Sequence, residues 1–595
     1  MKFIIFLNLF IFGIDAFSKD ESSDFKIQVH GYPTQPKKTY LFENINPLQP
    51  ENLSLSVPGL TIAKLGSLGQ KTSLRYGIFS SGDMTFLYDG FEISDSSDPS
   101  EGFDLSSFLI TPQFDFSLSR NATGLFSRQT GGVLNIDPKF DEGYLFKSSV
   151  GSESQGLLSF QKNSCFKEEC FQISSGGTIA DGQSAATKGS DKLENDPSKL
   201  AFLTLGWVKP ISLKSGSQRF LKLRSHTQYS KTDIDDYDET FIFRDDPNAD
   251  LTFLNQFLGL SYLTNNDQYF FENTFSKRDV LNNLDALSKT ERQDSYQVLR
   301  NKLRGVHNIN NIELFWSTQN LNLKTENLTS KQNISKLEIN LQADQKIKMR
   351  HLSLLQSANF NALESFDSGF GISQTIKMNP EGRSISTFQT QYGYKDRRPS
   401  FFQLFDPQFG NANLKNESQF FVRPQLDFNF GSSGLKHNIS IQYSYEDLSR
   451  RVVFINIGDL GYKNSGQLNS SAATLEYSVK SMSFNSKAFF RQSFDKQSVM
   501  KSLPWTAQNE VGFGAGFNSR HFTVSTEIKW LMDMYNPSQN KINQLVQSQA
   551  SLSYQLDTND RISLQLNNLF NDKKIWDEGF NRQPFSWMMS LTKKI

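Results

Sequence analysis

Few side chains in this 595-residue sequence are placed to do covalent or metal chemistry. Cys165 and Cys170 are its two cysteines and bracket Phe-Lys-Glu-Glu. No histidine lies near them, so zinc has no ligand set there. Two readings remain, unrelated free thiols or a hairpin staple, and in an oxidising compartment the staple is expected. A hairpin over this short spacing brings the two Cα atoms within the ~4.4–6.8 Å that a disulfide requires. The stabilisation from so short a closed loop is modest. The histidines (His30, His226, His307, His351, His437 and His521) are scattered, and neither H-E-x-x-H nor G-x-S-x-G occurs, so no hydrolytic site is legible and no enzyme is expected. Two stretches are dense in carboxylates. One runs from Asp181 to Asp191 with Glu194 and Asp196; the other holds Asp233, Asp235, Asp236, Asp238, Asp245 and Asp246. Oxygen ligands at this density could bind Ca²⁺, with Asp233, Asp235 and Asp236 as the candidates. No EF-hand spacing is present, which favours plain solvated loops. Tyr237, Phe241 and Phe243 in the same stretch could instead meet an apolar ligand. No cofactor is required by anything in the sequence.

The elements that must carry these residues are strands. In residues 425–448, QLDFNFGSSGLKHNISIQYSYEDL, Leu426, Phe428 and Phe430 alternate with polar residues, GSSG turns the chain, and Leu435, Ile439, Ile441, Tyr443 and Tyr445 continue the alternation. Period two gives one apolar and one polar face. The pattern runs from about residue 143 to the end with no helical break, and short turn clusters (DTND, GSSG) alternate with long polar connections. An outer-membrane barrel needs that combination: apolar side chains to lipid, polar ones to the lumen, tight turns on one rim and long loops on the other. Closure also removes every strand edge, which lipid demands. A strand of ~10 residues with its share of turn and loop takes about 20, so roughly 450 residues hold about 22 antiparallel strands. Barrels of that width carry a plug in the lumen. The 62 basic and 62 acidic side chains balance, which argues against nucleic acid as a partner. Residues 3–14, FIIFLNLFIFGI, are too short to span a membrane; preceded by Lys2 and followed by Ala16-Phe17-Ser18, they read as a signal peptide, residues 1–18.

The segment before the strands differs in composition, and its motifs carry a resemblance. Val57-Pro58-Gly59-Leu60 resembles the PGV signature of the plug domain of TonB-dependent outer-membrane receptors, and Leu74-Arg75-Tyr76-Gly77 its IRG. Phe86-Leu87-Tyr88-Asp89-Gly90 is similar to VLIDG, Asp104-Leu105-Ser106 with Phe108 to DLSxF, and residues 130–136, TGGVLNI, to the closing GGVINI. Residues 394–418, YKDRRPSFFQLFDPQFGNANLKNES, resemble the barrel signature RxPSxxELF…GNPxLKPE, and the carboxyl-terminal LNNLFNDKKIW resembles the family's ending. Departures are Asn121-Ala122 after Arg120 where the family has Gly-Pro, Tyr76 inside the RG step, Asn416 in place of a proline, and Ile595 rather than Phe at the end.

The resemblance implies an all-β transmembrane barrel with an amino-terminal α/β plug domain inside its lumen. The expected boundaries are residues 19–31 as a periplasmic segment, 32–140 as plug and 141–595 as barrel. It further implies a receptor in the outer membrane of a Gram-negative bacterium, in contact with lipid and lipopolysaccharide. The receptor would import a scarce ligand such as a ferric siderophore, cobalamin or haem. A TonB-type inner-membrane energy transducer would pull on a short segment that adds as a strand to its sheet. Asp24, Phe25, Lys26, Ile27, Gln28, Val29, His30 and Gly31 are the candidate for that TonB box; the competing reading is a first plug strand. No extra signalling domain is expected ahead of it. Arg75 and Arg120 are candidates to anchor the plug on barrel carboxylates, for which Arg geometry is suited; ordinary surface charge is the alternative. Gly131-Gly132 is expected to allow close backbone packing, and Asp89-Gly90 a two-residue hairpin turn. The competing function is a diffusion channel or docking barrel without energy coupling, which has no need of a separate domain of this size.

Overall fold

In the computed structural model, the wall strands of residues 142–594 and parts of residues 39–138 are described, among them 57–64, 72–98, 102–110, 114–119 and 131–138. The signal peptide, the candidate TonB box, Arg120 and Asp235 lie outside the described residues.

Period two becomes a wall. Twenty-two strands close into one barrel, each antiparallel to the next, and the last, Ser586–Lys594, pairs with the first, Gly143–Gly151. Side chains alternate as the pattern requires: Val150, Leu158, Ile339, Leu341 and Ile372 are exposed on the outside, while Ser149, Ser159, Asn340 and Gln342 are buried toward the lumen. Short turns such as residues 310–311 mark one rim, and the connection that carries the helical turn Phe401–Phe405 lies at the other. The first wall strand pairs with its neighbour, Gly156–Phe166, from near the residue where the alternating pattern begins. Near the short-turn rim the Trp316 indole lies over Gly305, where a Cβ would sit 2.3 Å from its Nε1, and donates to His307 Nε2 at 3.0 Å. Aromatic side chains of this kind favour the boundary between lipid and water.

One expectation fails. The region is not free of helix: Phe401–Phe405 forms a helical turn, α2 in chain order, inside the long connection after the strand Ile385–Arg397. Ser400 caps it by accepting from the Gln403 N–H while the Gln403 side chain accepts from the Ser400 N–H. Its Phe401 packs on Val298, Leu321 and Leu323, so the lumen wall there is apolar and covered by the loop, not polar and bare.

Inside the barrel the amino-terminal part forms a five-stranded sheet and a separate hairpin. In chain order its strands are β1 (Thr39–Phe42), β2 (Leu60–Lys64), β3 (Thr72–Tyr76), β4 (Met84–Tyr88), β5 (Phe91–Ile93), β6 (Phe114–Ser119) and β7 (Gly132–Pro138), with the short helix α1 (Ser106–Ile110) after β5. The sheet order is β1-β6-β7-β4-β5, with β4 and β7 parallel and the rest antiparallel; β2 pairs with β3. Gly131 is needed where β7 starts, because a Cβ would lie 2.7 Å from the Phe79 Cβ. The sheet's core is aromatic: Phe86, Tyr88, Phe91, Phe103 and Phe108 are all buried.

Candidate functional site

The β4–β5 hairpin is tied to the wall at its turn. Asp89 (φ 50°) and Gly90 (φ 85°) both adopt left-handed backbone, the requirement of a two-residue I′ turn and the reason Asp-Gly suits it. The turn is driven into the wall. Lys222 Nζ donates to Asp89 Oδ1 at 2.6 Å and Arg224 Nε to Oδ2 at 2.5 Å. Arg304 donates to the Gly90 carbonyl at 2.7 Å and lies over the Phe270 ring, 3.9 Å from its centroid. Phe91 fits between Phe257 and Phe270, at 5.8 and 5.6 Å between centroids. Gly259 makes this fit possible, since a Cβ there would stand 2.6 Å from the Phe91 ring.

The same charge pattern continues along the chain. Glu92 receives Lys302 at 2.6 Å and Arg300 at 3.2 Å, and its N–H donates to Glu272 at 2.9 Å. Arg278 binds Asp95 at 2.8 Å and Asp98 at 3.0 Å. Arg397 bridges Asp83 of the plug and Glu417 of the wall. Where α1 begins, Ser107 donates to Gln228 at 2.7 Å and meets His226 Nε2 at 2.9 Å, and the His226 ring stacks on Phe108 at 4.2 Å. The Pro58-Gly59 turn docks on a different side: the Gly59 N–H donates to Glu510 at 2.9 Å, Lys529 donates to the Leu60 carbonyl at 2.8 Å, and Arg491 and Lys529 both bind Glu510. Contacts on so many strands fix the plug within the lumen.

Burial alone would raise the Asp89 and Glu92 carboxyls. The Arg224 and Lys222 charges beside Asp89 outweigh it, and Lys302 and Arg300 hold Glu92 down at about 2. Groups whose folded pKa is depressed stabilise the fold above the ordinary carboxylate value, 4.5 for Glu92, and lose that contribution as pH falls through the folded value. The urea midpoint for plug unfolding is therefore expected to stay level above about pH 5 and to drop steadily between about pH 4.5 and 2. An unchanged midpoint across that interval, read by fluorescence, counts against these pairs as the lock.

The residues singled out by sequence are distributed unevenly. Arg75 is on β3, paired opposite Thr61. Burial and the neighbouring Arg451 pull its guanidinium down to about 10, with Asp83 opposing. In the ion pairs named above between plug and wall, the plug supplies the acids and the wall the bases. The signal in the sequence was the three-residue spacing of Asp89, Glu92, Asp95 and Asp98, which a search for arginines passes over. Cys165 and Cys170 stand directly opposite each other near the ends of the strands Gly156–Phe166 and Glu169–Ala180, joined by a disulfide with Cα atoms 4.1 Å apart. Asp233 ends a wall strand opposite Asp250, and Asp236 lies in a two-residue strand paired with Phe243–Arg244. Among the described residues no group of three or more His, Cys, Asp or Glu is set to hold a metal.

No protein-family model and no curated protein matches this chain. Solved structures do. A structure described as the copper transporter OprC matches with a TM-score of 0.73 at 11% identity, over 94% of this chain and 99% of that one. The siderophore receptor PirA of Acinetobacter baumannii matches at 0.72 and 10% identity, over 94% and 98%. The FrpB iron transporter of Neisseria meningitidis matches at 0.70 and 9% identity, over 92% and 96%. With a plug sheet bound within a closed 22-stranded wall, and with likeness running nearly end to end, this chain has the fold of the TonB-dependent outer-membrane receptors.

Proposed function

We propose that this protein is an outer-membrane receptor that captures a scarce metal chelate or vitamin at its long-loop rim and imports it by energised movement of the plug. The observation that carries the reading is the locked plug. A diffusion channel gains nothing from a lumen filled by a domain tied down through buried ion pairs on several strands. Opening such a lumen requires work, and the outer membrane holds no nucleotide; a periplasmic transducer of the TonB type, engaging residues 24–31, would supply it. The structural neighbours described as copper, iron and siderophore transporters or receptors support a metal-chelate cargo. The outward apolar face suits lipid and lipopolysaccharide. Residues 1–18 fit export to that membrane.

The test is whole-cell uptake with a panel of labelled ferric and cupric chelates and cobalamin. Strains with and without the receptor are compared, each with and without a proton-motive force. At least one ligand is expected to bind the surface in both energy states and to accumulate only in the energised cells. Accumulation that is indifferent to energy would overturn the proposal in favour of a passive channel.

A further inference from the structure

Charge is distributed unevenly round the lumen. Four neighbouring wall strands, Gln218–Asp233, Asp250–Leu263, Asp267–Asn283 and Glu291–Ile309, turn Lys222, Arg224, Arg278, Arg300, Lys302 and Arg304 inward, against the inward acids Glu272 and Asp294. Another sector, Gln467–Ser481 to Phe522–Tyr535, carries no basic excess: Glu476, Asp495, Glu510 and Glu527 face Lys487, Arg491 and Lys529. The basic side chains also form a track. Lys222 and Arg304 sit near the short-turn ends of their strands, Lys302 and Arg300 follow, and Arg278 is nearest the long-loop end. One plug segment, residues 89–98, lies along this track and neutralises it through Asp89, Glu92, Asp95 and Asp98.

We infer that this track is an anion lane, and that the plug segment occupies it as an internal stand-in for the anionic groups of the cargo. The argument is energetic and rests on the reading that the plug moves. Pulling the segment away strips buried lysines and arginines of their counter-charges, and an uncompensated buried charge is strongly unfavourable. A cargo bearing carboxylate or phosphate oxygens restores those charges as the segment leaves; bidentate contact with Arg suits such groups. A neutral or cationic cargo restores nothing. Rings of Lys and Arg lining a pore confer anion selectivity by the same attraction.

The test uses the full chain in planar lipid bilayers, with the plug reversibly unfolded by urea and a potassium chloride gradient across the membrane. The reversal potential is expected to show chloride permeating several-fold better than potassium, and citrate added on the long-loop side is expected to reduce the current. The triple substitution Arg300→Gln, Lys302→Gln, Arg304→Gln should abolish the preference; the pair Lys222→Gln, Arg224→Gln serves if the triple variant does not insert. A wild-type lumen that is unselective or prefers potassium overturns the inference, as does a selectivity that survives neutralisation of the track. No transducer takes part in this measurement. A selective lumen in a protein that never imports would defeat the transport proposal alone, and an energised importer with an unselective lumen would defeat this inference alone.

Discussion

Replacing Asp89 with alanine is expected to unseat the plug while leaving the barrel standing. The carboxylate is buried at the tip of the β4–β5 turn and is shared by Lys222 and Arg224, themselves almost wholly inaccessible. Removing it takes from both cationic groups the carboxylate they share. Breaking a buried pair in this way costs about 3–5 kcal/mol, more than the pair itself contributes relative to well-packed apolar side chains. The plug's urea midpoint should fall accordingly, and cells should admit large antibiotics that an intact outer membrane excludes. The wall keeps its strand pairing, so heat-modifiable migration of the barrel on gels should not change. Adding Lys222→Met and Arg224→Met to Asp89→Ala should recover a large part of the loss, because the buried cations are removed together with the carboxylate that neutralised them. If Asp89→Ala shifts the midpoint by less than the equivalent of about 1 kcal/mol, the value typical of solvent-exposed pairs, the interface is wet and the lock lies elsewhere.

The same residue shows what was legible in the sequence and what was not. Asp-Gly between two short apolar runs specifies its turn locally, through the need for positive φ, and the structure has that turn. Period two likewise specifies the strands, and chain length divided by the residues per strand gives the count. Partners are different, because they are set by elements far apart in the chain. Asp89 meets Lys222 and Arg224, and Glu92 meets Arg300 and Lys302, across separations that no local pattern encodes. Alternation also fails to say which face is outward. In the strand Ile312–Glu326, Leu314 is exposed on one face, while Leu321 and Leu323 are buried on the other under Phe401. The period stays constant while the apolar side changes, and only the α2 loop explains why. That loop had a readable start, since Ser400-Phe401-Phe402-Gln403 is a capping box, but a helix of five residues is too short for its own period to register.

Proline at position 27 is expected to abolish uptake while sparing surface binding. A segment pulled by a transducer must be extended and must pair along a strand edge, so most of its affinity comes from main-chain hydrogen bonds, and side-chain changes are tolerated. Proline removes a donor and does not fit a paired strand. Ile27→Pro or Val29→Pro should therefore stop accumulation of the ligand in energised cells, and Ile27→Ala should do much less. The contrasting substitution is Leu87→Pro. Leu87 is buried in β4, which pairs with β5 on one side and β7 on the other, with Leu87 opposite Glu92 and Asn135. Proline there breaks the plug's own ladder, so the expected result is a destabilised plug and a leaky lumen, not a tight receptor that has lost its drive. Binding to whole cells measured beside uptake separates the two. Normal import by the Ile27→Pro variant would place the pulled segment somewhere other than residues 24–31, and loss of binding together with import would make those residues part of the folded plug.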